Sequence, residues 1–568
     1  MSTKTFNLIL LGLLVLLLVS CASPAGQVQM SDQEDMLNPG DRIGEMEITT
    51  AEAWDWDNNL YSLCIEGDAE NEALLEDETI KFHEYPCELY AGATLIINCA
   101  GVDEQPDDSL DERWARLETE MVFDGRPINL PAFGSLENTY GGQTIRLWNV
   151  LLKNITPGEH SLRCYSEFDG EVYDGAYKFV VSEPPKLEAP PNAEELIFQG
   201  QSALFYTLAD FFTLMETAVE EDDLQHFWAA LAIVDQSPLI FGDYAVFPYK
   251  GDGKNVVWQG LYFTKPYTRI GQSKVWLMMQ QFEPDAVLEY RIAVEGEEQM
   301  DPMNPLRIEA FSNTSVLQMP AFEYPEETLY REDIAHGVLT DNILLSSENL
   351  GYDKFYRVYT PPGYDSLDSL PVIYVTDGTD AINEVYLGMV NVLDNLIAEG
   401  RIKPVIAVFI DPHNAATSEY VRERELDPVD RQTCPFCAFV TEELVPLIDA
   451  NYKSDTSPGA RALLGTSLGG RWASYMALMH NDLFHLIGIQ SHPVEADHWL
   501  WDAYDEVDQL PVKVFLHHGT YDIGTAPRLA ETLEEKGVPL RYIENHGGHG
   551  YRSWRTTTDD ALEYFFSP

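Results

Sequence analysis

Between residues 371 and 544 short apolar runs alternate with amphipathic stretches of helical length. Residues 371–375 (PVIYV), 404–410 (PVIAVFI), 461–464, 486–490, 512–517 and 540–544 read as strands. The segments between them, 381–398, 439–452, 468–479 and 525–536, carry the 3.6-residue spacing of helices. Strands that are apolar throughout, rather than at every second position, are buried on both faces. Alternation with helices then predicts a parallel sheet covered on each side. This α/β grammar runs from about residue 326 to 568.

Upstream the grammar is different. Residues 46–183 show short strands between turns, at 94–99, 144–152, 159–165 and 176–181, and predict an Ig-like β-sandwich. Residues 184–195 are a Pro-rich linker, since proline holds such a segment extended. A second β-rich region, 196–325, opens on a helical stretch around 205–219. Strands follow at 255–263, 275–280 and 287–294, and the turn Asp301-Pro302-Met303-Asn304-Pro305 closes it. The expected architecture is an α/β-hydrolase-like C-terminal domain, 326–568, preceded by two β-sandwich domains (Ig-like or E-set-like). Residues 22–45 are polar and read as a linker.

The N-terminus adds a destination. Lys4 precedes an apolar run from residue 8 to 19 that is short for a membrane span. It ends in Leu18-Val19-Ser20-Cys21, which resembles a bacterial lipobox. Residues 1–21 are thus expected to be a lipoprotein signal peptide, with Cys21 lipidated and the body outside the cytoplasm. Charge narrows the partners. The chain of 568 residues has 94 Asp plus Glu against 35 Lys plus Arg, a formal net charge of −59. Such a surface repels nucleic acid and anionic lipid, so contact with a membrane is expected through the anchor only. Setting Cys21 aside leaves six cysteines: Cys64, Cys87, Cys99, Cys164, Cys434 and Cys437. An oxidising exterior favours disulfides. Cys99–Cys164 is the preferred pair across the sandwich, leaving Cys64–Cys87, though four cysteines permit three pairings. Cys434-Pro-Phe-Cys437 lacks a companion His pair for zinc and reads as a local staple. No metal or other cofactor is expected.

The chemistry sits in the last domain. Gly465-Thr466-Ser467-Leu468-Gly469 lies between a predicted strand and a predicted helix, the context of a nucleophile elbow. Its glycines allow a turn tight enough to project the Ser467 hydroxyl. The helix start aims N–H groups at a developing oxyanion. A serine needs a base and the base needs an orienting acid, in the chain order Ser, acid, His. Asp522 follows the strand at 512–517. After the last strand come His546 and His549; the glycines before His549 make it the preferred base, with His546 supporting the loop. His517 and His518 line the pocket or are structural. Leu468 and either Gly378 or Thr379, in the loop after residues 371–375, are the candidate oxyanion donors.

These residues carry a resemblance. Residues 326–568 resemble the esterase family that includes enterochelin (enterobactin) esterases, feruloyl esterases and esterase D. The matching pieces are Tyr359-Thr360-Pro361-Pro362-Gly363-Tyr364, Asp377-Gly378, Arg422-Glu423-Arg424-Glu425-Leu426 and Glu442-Glu443-Leu444-Val445-Pro446. The elbow through Gly470, and Gly547-Gly548-His549 with Trp554-Arg555 after it, complete the set. Region 196–325 resembles the N-terminal β domain of enterochelin esterases, through Phe227-Trp228, the 301–305 turn, Ser315-Val316-Leu317 and Met319-Pro320. The resemblance implies Ser467, Asp522 and His549 as a triad. It also points to Arg422 and Arg424 as residues at the substrate mouth; pairing with nearby acids is the alternative for both. Three departures stand out: Gly550 occupies a place where the family often has an acid, the chain is expected to be exported, and the sandwich at 46–183 has no counterpart in the resemblance. The expected function is a serine carboxylic-ester hydrolase acting on a small-molecule or glycan ester, with siderophore, feruloyl and acetyl esters as candidates. The alternative is a non-catalytic surface binding protein on a hydrolase scaffold.

Overall fold

The computed structural model describes residues 36–568 apart from 52–59, 61–72, 78–79, 85–88, 93, 104–107, 141–142, 184–185, 235, 254, 261–263, 272, 309–312, 428–432, 495–497 and 523. Residues 1–35, with Cys21 and its leader, lie outside the described residues, as do Cys64 and Cys87.

The first domain is a sandwich of two sheets. One runs in the order Arg42–Ile43, Met46–Thr50, Gln143–Lys153, Leu95–Asp103, with Ser135–Tyr140 also paired to Gln143–Lys153. The other centres on Gly158–Phe168 and Glu171–Ser182, with Glu118–Phe123 beside the former. From His160 onward, Gly158–Phe168 buries every second residue, the period of a strand with one face on a core. That core includes Ile48, Ile97, Phe123, Val150, Leu162 and Phe179. Cys99 of one sheet is disulfide-bonded to Cys164 of the other. The sandwich also claims part of the expected 22–45 linker. Leu37 is fully buried and bridges to Ile128, and Arg42–Ile43 is an edge strand. Its apolar residues are too sparse to announce a strand in the sequence.

The second domain begins with two helices, Leu208–Glu220 and Leu224–Val234. Thr207 and Asp210 form a capping box at the first, which fixes where it starts. The Pro-rich linker ends against these helices: Ala193 is buried in their core and Leu187 packs on it. A small sheet of Leu239–Phe241, Tyr244–Lys250, Val275–Gln281 and Thr268–Arg269 faces strands Val256–Gln259, Val287–Val294 and Thr314–Gln318. Phe247, Trp258 and Tyr290 fill the space between them. The turn at 301–305 closes around the buried Asp301 carboxyl, which accepts the hydroxyls of Ser237 (2.5 Å) and Tyr290 (2.8 Å).

The C-terminal sheet runs Leu540–Gly548, Lys513–Tyr521, Leu486–Gln490, Arg461–Thr466, Val372–Val375, Ile406–Asn414, all parallel. The antiparallel strand Asp353–Thr360 then pairs with Ile406–Asn414. Along Val372–Val375 successive side chains enter different cores, Val372 and Tyr374 on one face, Ile373 and Val375 on the other. This is the burial on both faces that the unalternating apolar runs imply. The expected helix at 381–398 is two, Gly378–Ile382 and Met389–Ala398, parted before Gly388 at φ 58°. The expected helix at 439–452 starts earlier, at Pro435, and passes through a π turn, Phe439–Leu444. Cys434 and Cys437 are disulfide-bonded at its start.

The second and third domains share a sheet. Val287 of the strand Val287–Val294 pairs in parallel with Gly547, at the active-site end of Leu540–Gly548. Among the described residues no helix is long and apolar enough to cross a membrane.

Candidate active site

Ser467 is the single residue between strand Arg461–Thr466 and helix Leu468–Met479. Its backbone sits at φ 54°, ψ −124°, a region a side-chain-bearing residue adopts at a cost of about 1–3 kcal/mol. The glycines around it make the turn feasible. A Cβ on Gly465 would lie 2.1 Å from the carbonyl oxygen of Gly469, and one on Gly469 would lie 2.3 Å from Thr376 Oγ1. The two chain segments that cross here leave no room for a methyl group.

His549 lies just beyond strand Leu540–Gly548. Its Nε2 is 2.8 Å from Ser467 Oγ, and its Nδ1 is 3.0 and 3.1 Å from the two oxygens of Asp522. A carboxylate only accepts, so Nδ1 carries the proton and Nε2 accepts the serine hydroxyl. Burial pushes the Asp522 carboxyl up. The imidazole of His549, the Ser491 hydroxyl and the Gly524 N–H outweigh it and hold the group well below the usual carboxylate range. Asp522 is therefore charged wherever the domain is folded near neutral pH. Both side chains are nearly sealed from water, at 4% and 0% exposed, which strengthens their electrostatic interaction.

Two residues that the sequence reading did not single out for this role complete the arrangement. Trp554 stands edge-to-face against the His549 ring, with centroids 5.2 Å apart, and its Nε1 donates to Ser491 Oγ at 2.7 Å. Ser491 follows strand Leu486–Gln490 and takes a left-handed backbone, φ 58°. A serine directly after a parallel strand is the one local sign it offers.

The candidate oxyanion donors begin two helices. Leu468 is the first residue of Leu468–Met479, and Gly378 and Thr379 are the first two of Gly378–Ile382. N–H groups at such positions have no partner within their own helix. Gly378 packs on the backbone of the adjacent strand, where a Cβ would come within 2.5 Å of Phe409 C. Thr379 is exposed and donates its hydroxyl to Asp411 at 2.6 Å.

The other expected residues are held by other partners. Arg422 is not a free group at the substrate mouth. It donates to both oxygens of Asp377 (2.6 and 2.9 Å) and to the carbonyl of Thr466 (2.9 Å). Burial lowers its pKa, but the Asp377 carboxylate prevails and the guanidinium stays firmly charged. Arg422 thus ties the loop carrying Gly378 to the residue preceding Ser467. Arg422→Met is expected to lower kcat by about 100-fold, comparable to the loss of one oxyanion donor, with KM little changed in steady-state assays. Arg424 lies over the Tyr352 ring (5.2 Å) and within 4.0 Å of Glu419. His546 reaches Asp285 of the second domain at 2.6 Å instead of Ser467. His517 is fully buried, and burial pushes it down to about 4; burial also lowers His518. Burial thus favours the neutral form of both. No cluster of three or more His, Cys, Asp or Glu side chains placed to hold a metal is found among the described residues.

Residues 347–565 match the family model described as "Putative esterase". YbbA, an uncharacterized protein of Bacillus subtilis, is 24% identical over 208 residues, 35% of this chain and 76% of that one. The endo-1,4-beta-xylanase/feruloyl esterase of Xylanibacter ruminicola is 27% identical over 212 residues, 36% of this chain and 28% of that enzyme. Among solved structures, the enterobactin esterase FES of Shigella flexneri is 19% identical, covers 56% of this chain and 92% of its own, and superposes with a TM-score of 0.46.

Proposed function

We propose that the C-terminal domain, a carboxylic-ester hydrolase of the esterase family, works through a Ser467–His549–Asp522 triad and a covalent acyl-enzyme. The observation that carries this is one imidazole within hydrogen-bond distance of both Ser467 Oγ and the Asp522 carboxylate. As Oγ attacks the ester carbonyl, His549 Nε2 takes its proton, and Asp522 stabilises the imidazolium. The N–H of Leu468, with that of Gly378 or Thr379, receives the carbonyl oxygen as it becomes negative. Collapse breaks the ester C–O bond, and His549 protonates the departing alcohol. A water then attacks the acyl carbon, with His549 as base, and the acid leaves as Ser467 regains its proton.

For substrate we favour feruloyl or acetyl esters of small molecules or glycans, or a siderophore ester. The first draws support from the feruloyl esterase relative, the last from the sequence resemblance alone. The leader ending in Cys21 supports a body held outside the cytoplasm by a lipid. The test is hydrolysis of p-nitrophenyl acetate and butyrate together with fluorophosphonate labelling. The expected result is turnover, with one label per chain on the peptide containing Ser467. Turnover without that label, or no turnover at all, would exclude the mechanism.

A further inference from the structure

We propose that Glu289, on the second domain, is a positioning residue for the hydrolase site: its carboxylate seats the loop that carries His549. The proposal rests on the ester-hydrolase reading above. It begins with the shared sheet. Because Val287 pairs in parallel with Gly547, Glu289 comes level with the turn that follows His549.

The contacts bear this out atom by atom. Glu289 Oε1 accepts the backbone N–H of Arg552 at 3.3 Å, and Oε2 accepts the Thr314 hydroxyl at 3.2 Å. A Cβ on Gly550 would lie 2.9 Å from Oε1 and 3.0 Å from Cδ of the same carboxylate. Gly550 has φ −178°, extended backbone that any residue adopts. The crowding at this position is therefore one of space, and a side chain here would have to displace the Glu289 carboxylate. Burial pushes the carboxyl above its usual range, and the Arg552 N–H and the Thr314 hydroxyl offset only part of that.

Neighbouring residues of the same strand and its approach grip the rest of the loop system. Tyr521, which precedes Asp522, donates its hydroxyl to Glu283 at 2.5 Å, and its ring packs on Phe282. His546 meets Asp285. The second domain therefore touches the loops of both the base and the acid. A triad must be held to within about half an ångström to function, and Leu540–Gly548 is the last strand on its side of the hydrolase sheet proper.

The experiment uses the full chain and p-nitrophenyl butyrate, with kcat normalised to sites titrated by fluorophosphonate, so that unfolded molecules do not count. Glu289→Ala is expected to lower kcat at least tenfold with KM within twofold of wild type. Glu289→Gln keeps an acceptor for the Arg552 N–H and is expected to retain most of kcat. Gly550→Ala alone should also be impaired, because its methyl meets the carboxylate. The double variant Glu289→Ala/Gly550→Ala should be no worse than Glu289→Ala, a non-additivity expected only if the two groups contend for one space. A kcat for Glu289→Ala within twofold of wild type, or additive losses in the double variant, would overturn the proposal while leaving the triad reading intact. A wild-type chain without turnover would overturn both.

Discussion

Ser467→Ala is expected to lower kcat for p-nitrophenyl butyrate by about 10⁵- to 10⁶-fold while leaving the melting temperature close to that of wild type. The size follows from what the hydroxyl does. In the proposed mechanism it supplies the electrons for the new bond and the proton that His549 shuttles. Alanine tolerates the φ of 54° no better than serine, so the strain of the elbow is retained and stability should barely move. The residual rate would come from the oxyanion donors acting on water. Stopped assays with the variant and the wild type at equal concentration decide the matter. A Ser467→Ala enzyme that keeps more than about a hundredth of the wild-type rate would place the nucleophile elsewhere.

Asp522→Asn should be the next most damaging change, at about 10⁴-fold in kcat with KM nearly unchanged. An amide of the same shape can present its NH₂ to His549 Nδ1. That stabilises the tautomer with the proton on Nε2, the one that cannot take the serine proton. The buried carboxylate is held far below its ordinary range chiefly because the imidazole outweighs desolvation, so the charge removed is one the site is built around. The sign for pH is set by the same shift. Because the folded carboxyl is depressed, its contribution to stability is present above the ordinary Asp value and is lost only as pH falls towards the folded one. The wild-type triad should therefore not lose Asp522 anywhere in a working assay range. A variant with wild-type kcat would mean that the imidazole is oriented by something else, and Trp554 would be the first place to look.

Much of this site is legible in the sequence because its logic is local or ordered along the chain. Gly465, Ser467 and Gly469 announce a crossing too tight for side chains, and a strand before and a helix after fix where it lies. Asp522 and His549 follow from the habit of parallel sheets to place functional groups in the loops at strand ends. What is not legible is what depends on distant pairing. Arg422 and Asp377 lie 45 positions apart, and nothing near either of them distinguishes a loop clamp from a substrate contact. The short edge strand Arg42–Ile43 and the fully buried Leu37 belong to the sandwich, yet two or three apolar residues in a polar stretch carry no period. The break between Ile382 and Met389 is a third case: a glycine within an apolar-periodic run only lowers the expectation of helix, whereas here Gly388 takes a left-handed φ and caps the start of a second one. The meeting of Val287 with Gly547 leaves no trace at all in the local pattern of either strand.

That meeting bears on how the molecule behaves when it is divided. An edge strand presents bare backbone donors and acceptors and invites pairing with another chain. Leu540–Gly548 has one hydrolase neighbour, Lys513–Tyr521, on one side and the second domain on the other. Cutting at the boundary near residue 326 would strip Gly547 of that cover and lay open Tyr386 and Tyr551, which pack in the cluster around Val287. The domain border visible in the primary structure is thus a poor place for scissors. The portion downstream of it is a candidate for self-association through its newly exposed margin, and a piece that keeps the second domain must also keep Leu187 and Ala193, which pack in that domain's core.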